Sequence, residues 1–168
     1  AKKRQAPNSQ DHLIRQASDA GLVVEGVSFH VGSQCTNFDN YTEALAIASS
    51  IIKDTRKKGY PLKILDIGGG FPVPYDAQVP EFKKLANIIN AECNRLFPED
   101  IEIIAEPGRF IAATAATLIT EIIGKSRRDG KMFYYINDGV YHTFSGVIYD
   151  HWLPNFSSFG RGKKEVCA

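Results

Sequence analysis

The sequence predicts an α/β fold, a parallel sheet covered by helices, followed by a segment of all-β character. Apolar, β-branched runs alternate with stretches of helical period in the order strand, helix, strand, helix, strand. The strand runs are apolar almost throughout, the pattern of parallel strands covered on both faces. After Arg109 the helical period stops, and Thr, Ile, Tyr and Phe gather between turn signals.

Ser9 to Ala20 reads as a short helix with Leu13, Ile14 and Ala17 on one face and Gly21 as its stop. The run LVVEGVSFHVGS (22–33) is the first strand and ends in small and polar residues. Asp39 caps a long helix whose apolar face is Tyr41, Ala44, Leu45, Ala48, Ile51 and Ile52, closed by Gly59 and Pro61. LKILDIGGG (62–70) is the second strand. Pro80 opens a helix with Phe82, Leu85, Ile89, Cys93 and Leu96 at helical spacing, ended by Pro98. IEIIAEPGR (101–109) is the third strand. From Phe110 to Trp152 the turn signals RRDGK and NDG separate β-rich runs, FSGVIYD among them, which places a domain boundary near Ala113.

Composition narrows the function. The chain has 168 residues and 43% hydrophobic content, enough for a core and about one domain. Lys+Arg 20 against Asp+Glu 19 leaves a net charge of +1 with the signs mixed, so no basic stripe points to nucleic acid. No apolar run reaches the roughly 18 residues that span a bilayer, and no signal peptide is visible. Cys35, Cys93 and Cys167 are far apart and odd in number, which reads as reduced thiols in a cytoplasmic protein with no metal site. Met132 is the single methionine, while the chain begins AKKRQAP and stops at KKEVCA; this is the expectation for a piece of a longer protein.

The chemistry lies at the strand ends FHVGS, DIGGGF and AEPGR. Ligands of parallel α/β sheets bind at the C-terminal ends of the strands, so the three segments should converge. Glycines let backbone N–H groups approach a phosphate where a Cβ would intervene, and Arg109 offers a permanent charge. GGGFP lacks the GxGxxG spacing of a dinucleotide fold, and Pro72 is badly placed for one. Taken singly, each residue has a plainer role. The glycines suit a tight turn, His30 a hydrogen-bonded core histidine, Glu106 a pair with Arg109, and Cys35 a small packing residue. Phe133, Tyr134 and Tyr135 suit a β-domain core.

GVSFHVGSQC, LDIGGGFP, AEPGRF, NDGVY and YDH, in this order and spacing, resemble the motifs of the ornithine decarboxylase family. These are pyridoxal-phosphate (PLP) enzymes related to diaminopimelate decarboxylase and alanine racemase. The resemblance runs from about Leu22 to Pro154. It implies an alanine-racemase-like (TIM-type) α/β barrel followed by a β-sandwich. Residues 1–113 would hold the last three strand–helix units, and 114–168 the start of the β-domain. The phosphate site after strands seven and eight of such barrels agrees with this.

By the same resemblance, His30 stacks on the pyridine ring and Glu106 pairs with its nitrogen. Ser33 and Gly70, with Gly69 beside them, contact the phosphate, as do Pro107, Gly108 and Arg109. Tyr149 and Asp150 contact substrate, Asp150 facing the distal amino group of a diamino acid. A carboxylate about 4 Å from the ring nitrogen at an effective dielectric near 20 contributes about 4 kcal/mol, roughly three pK units in favour of the protonated ring. The implied activity is decarboxylation of ornithine or lysine to putrescine or cadaverine in polyamine biosynthesis, by a homodimer with a small-molecule substrate. The alternatives are diaminopimelate decarboxylase, less well fitted by NDGVY and YDH, and a non-catalytic regulator of decarboxylase-like fold. The family's Schiff-base lysine stands on an early barrel strand. No lysine here has that context: Lys63 begins its strand, and Lys53, Lys57 and Lys58 lie on a helix. The isolated chain is therefore expected to be inactive.

Overall fold

The computed structural model describes residues 7–74, 79–149 and 156–157. The chain divides into two compact units, Ala1–Ala115 and Ala116–Ala168.

In the first unit the order is α1 (Pro7–Asp19), β1 (Gly26–Ser28), α2 (Asp39–Lys57), β2 (Ile64–Asp66), α3 (Phe82–Leu96), β3 (Glu102–Ile104) and α4 (Gly108–Ala112). The strands form a parallel sheet in the order β1-β2-β3, with Val27 opposite Leu65 and Leu65 opposite Ile103. The regular strands are far shorter than the apolar runs that announced them. Parallel hydrogen bonding nevertheless continues past their ends, from Phe29 N to Asp66 O (3.0 Å), Ile67 N to Ile104 O (3.0 Å) and Glu106 N to Gly68 O (2.7 Å). The strand ends are thus tied to one another beyond the regular ladder.

Helix ends follow local chemistry. Gly21 (φ 78°) closes α1: its N–H bonds Ser18 O and the next N–H, of Leu22, bonds Ala17 O, the paired pattern of a left-handed C-terminal cap. Gly59 (φ 91°) ends α2 in the same way, with Gly59 N on Arg56 O and Tyr60 N on Thr55 O. The N-terminus of α2 differs from expectation. Phe38 holds the cap position and Asp39 is the first helical residue, where its charge still complements the helix dipole. Likewise α3 starts at Phe82 with Glu81 at its cap, two residues after Pro80.

The core lies between α2, α3 and the sheet. Tyr41, Leu45, Leu62, Leu65 and Leu85 are fully buried, joined by Ile52, Ile67, Ile89, Cys93 and Phe97. At about 1.5–3 kcal/mol per fully buried large apolar side chain, this cluster is the main source of the unit's stability. Two expectations fail. Leu13 is half exposed while Ile14 alone of its proposed face is buried, and Ile103 and Ile104 on β3 are exposed rather than covered. Successive side chains of a strand point to opposite faces, so the described residues cover neither face of β3 at these positions.

The second unit contains an antiparallel hairpin, β4 (Ile122–Arg128) and β5 (Lys131–Ile136). Its turn is Asp129–Gly130, both at positive φ (50° and 79°), the two-residue geometry whose twist matches a hairpin. Tyr134 and Tyr135 are exposed and Phe133 is half-buried, so they do not form a core among the described residues. Beyond the hairpin, Thr143–Ser145 is a 3₁₀ turn and α5 spans Gly146–Tyr149. FSGVIYD was expected to be a β-run, but its described part is helical. Val147, Ile148 and Tyr149 favour strands only weakly when no neighbouring strand supplies ladder bonds. No helix among the described residues is long and apolar enough to cross a membrane.

Candidate functional site

The glycine triplet explains how the three strand ends meet. A Cβ on Gly68 (φ 63°) would collide with the carbonyl of Phe29, and one on Gly70 (φ 86°) with the carbonyl of Gly32. On Gly69 it would come to 2.5 Å from the Glu106 carbonyl and 3.5 Å from the His30 ring. The absence of side chains is therefore demanded by the chain's own backbone at a three-way junction. This packing reason stands beside the phosphate approach expected of the triplet. Two of its amides are also engaged: Gly68 N–H bonds Asp66 Oδ1 (2.8 Å) and Gly69 N–H bonds His30 Nδ1 (3.2 Å).

Around this junction the loops are fastened from several sides. Gly69 O accepts from the Tyr41 hydroxyl (3.2 Å), and Gly70 O accepts from Cys35 N (2.8 Å). Gln34, itself at φ 53°, grips Val73 at both backbone groups: its Nε2 donates to Val73 O (2.6 Å) and its Oε1 accepts from Val73 N (2.9 Å). Asp66 receives Ser28 Oγ on its second oxygen (3.1 Å), linking β1 to β2 at their carboxyl ends. Phe71 then turns the chain inward. It stacks on Tyr41 (centroids 5.7 Å apart) and meets Phe82 and Phe110 edge-on, which buries the segment Phe71–Val73.

The residues expected to act are placed as follows. His30 presents an exposed ring whose Nδ1 accepts from Gly69, so in the neutral ring the proton sits on Nε2. Glu106 is exposed, with its backbone held on both sides: its N–H bonds Gly68 O, and its C=O accepts from Gly108 N (2.8 Å) across a tight turn at Pro107 (φ −79°, ψ 49°). Arg109 is half-buried in α4, and Ser33 is exposed on the first loop. His30, Gly69 and Glu106 are thus brought together. Tyr149 ends α5 in the second unit and is 80% exposed, while Asp150 lies outside the described residues. Cys35 is buried, its thiol donating to Asn37 O (3.3 Å) and accepting from Asn40, which is a packing role. No group of three or more His, Cys, Asp and Glu among the described residues could hold a metal ion.

Sequence reasoning missed Asp66, Gln34 and Tyr41. Asp66 was visible as an acidic residue ending an apolar strand directly before glycines. Tyr41 looked like ordinary core on a helical face, and nothing local showed that its hydroxyl reaches the glycine loop.

The family described as "Pyridoxal-dependent decarboxylase, pyridoxal binding domain" matches residues 4–113. The chain is 41% identical over 155 residues to the lysine/ornithine decarboxylase of Selenomonas ruminantium, covering 91% of this chain and 39% of that protein. It is 38% identical to antizyme inhibitor 2 of Xenopus laevis, covering 84% of this chain and 34% of that one. The structure is similar to that of the Vibrio vulnificus lysine/ornithine decarboxylase complexed with cadaverine. The TM-score is 0.80 at 37% identity, over 96% of this chain and 44% of that one. The chain thus spans well under half the length of the relatives it matches.

Proposed function

Since this chain belongs to the ornithine/lysine decarboxylase family of pyridoxal-dependent enzymes, we propose that it supplies the phosphate- and ring-holding part of a site that decarboxylates ornithine or lysine. The observation that carries this is that the His30 ring and the Glu106 backbone both lie against Gly69. One basic and one acidic side chain stand exposed at adjoining strand ends, on backbone hydrogen-bonded to the strand between them.

The residues fit a phosphate-bearing aromatic cofactor. A Cβ on Gly108 would meet nothing within 4 Å, and its φ is not positive, so the chain's own packing does not require glycine there. That leaves room for a group to approach the start of α4. Ser33, Gly70, Gly108 and Arg109 would hold the phosphate, with Gly69 and Pro107 shaping the backbone beside it. Gly70 rather than Gly68 or Gly69 is the triplet's donor, because the other two amides are engaged internally. His30 would lie against the ring, and Glu106 would hold a proton on its nitrogen. When bound, pyridoxal phosphate supplies the electron sink that loss of CO₂ requires. Asp150, with Tyr149, would receive the distal ammonium of the substrate through a charge-assisted hydrogen bond of roughly 1.5–3 kcal/mol.

In this proposal the first unit is part of an α/β barrel and the second the start of a β-sandwich, within a longer, cytoplasmic, homodimeric protein. The lysine that holds the cofactor covalently stands elsewhere in that protein, so the isolated chain does not turn over. A non-catalytic role is the second possibility, favoured by the 38% identity to an antizyme inhibitor.

The test is CO₂ release by the full-length protein from ornithine and lysine, with and without Glu106→Gln. The substitution keeps size and removes the charge. Turnover should fall at least ~100-fold, about 2.7 kcal/mol of lost transition-state stabilisation, with the cofactor still bound. Near-normal turnover in the variant would remove Glu106 from this role. Absence of CO₂ release from the unmodified protein would favour the regulator.

A further inference from the structure

Tyr41 is fully buried on α2, yet its hydroxyl serves no other helix residue: it donates to Gly69 O at 3.2 Å. The same glycine donates its N–H to His30 Nδ1 at 3.2 Å. Tyr41 and His30 are therefore linked through Gly69, held at both its carbonyl and its amide. We propose that Tyr41 is a positioning residue for His30: its hydroxyl fixes the Gly69 backbone and thereby sets the orientation and tautomer of the imidazole at the site.

Three features support this. The Gly69 backbone cannot find another position easily, because a shift toward Glu106 or His30 is blocked by the contacts that already exclude a Cβ there. The Tyr41 ring is itself immobilised by stacking on Phe71, the residue directly after the triplet, so hydroxyl and loop move as one piece. Burial, with the Cys35 thiol as a smaller influence, pushes the Tyr41 hydroxyl well above the usual tyrosine range, so it stays a protonated donor at any physiological pH.

For its bearing on catalysis this rests on the proposed function, but the link itself does not. The test therefore runs on the full chain without cofactor, so that its failure leaves the decarboxylase assignment untouched and the converse also holds. Amide hydrogen exchange at Gly69 and the ¹⁵N resonance of His30 Nδ1 are compared among the parent chain, Tyr41→Phe and Ser49→Ala. Ser49 is the control: it is buried on the same helix and its hydroxyl donates to Leu96 O (3.0 Å), away from the loop. Tyr41→Phe should speed Gly69 exchange about five- to tenfold, the effect of one neutral hydrogen bond, and move the Nδ1 resonance. Ser49→Ala should do neither. Unchanged Gly69 exchange in Tyr41→Phe overturns the proposal. Equal acceleration in both variants also overturns it, because the effect would then be general loosening of α2.

Discussion

Both units of this chain contain an aspartate that organises a glycine-bearing turn, and they do it over different distances. In the first, Asp66 bonds Gly68 N and reaches Ser28 on another strand; the surrounding bonds join residues 28 to 39 positions apart, among them His30, Gln34 and Tyr41. In the second, Asp138 Oδ1 accepts from Gly139 N (2.6 Å) and Thr143 N (3.3 Å), with His142 also near, all within five residues. The first turn exists only once the sheet is assembled. The second is closed by its own neighbours. A site built in the first way depends on every strand beneath it.

The sharpest break in this comparison comes from glycine. Gly68→Ala places a Cβ against the Phe29 carbonyl at positive φ, where neither backbone can give. It should cost about 3 kcal/mol or more, read as a lower urea midpoint for the first unit. Gly130→Ala meets nothing within 4 Å and bears only the left-handed backbone penalty of about 1 kcal/mol. Equal costs would mean that the strand-end junction is looser than described.

Next come the aspartates. Asp66→Ala removes bonds to Gly68 N and Ser28 Oγ and should destabilise the first unit by about 2 kcal/mol. Asp138→Ala should loosen only its own turn, visible as faster amide exchange at Gly139 and Thr143 while β4 and β5 keep theirs. An effect of Asp138→Ala on the hairpin ladder would show that the second unit, too, depends on long-range order.

The smallest effect is with pH. Hydrogen bonds from Thr143 and Gly139 hold the Asp138 carboxyl below the usual carboxylate range. A lowered folded value means that this stabilisation is complete above about pH 4 and is lost as pH falls through the folded value. In the first unit Asp100 is held down in the same sense, chiefly by its paired bonds to Arg56. Asp138→Asn should remove the acid response of the second unit's amides and leave that of the first. A response unchanged by the substitution would place its origin elsewhere.

The order of strands and helices, the Gly21 and Gly59 helix ends and the convergence of FHVGS, DIGGGF and AEPGR were all legible in the sequence, because period, capping and strand-end position are local or follow from chain order. His30 and Glu106 could be singled out for the same reason. Only tertiary structure decided why Gly68, Gly69 and Gly70 are glycines: the neighbours that exclude a Cβ are carbonyls of Phe29, Glu106 and Gly32, 37 to 39 residues distant. It also turned Tyr41 from a core aromatic into a support of the loop, since a hydrophobic pattern registers the ring and not where the hydroxyl points. It made β3 an exposed edge and Gly146–Tyr149 a helix, because a strand's burial and its ladder bonds depend on neighbours that a single segment does not specify.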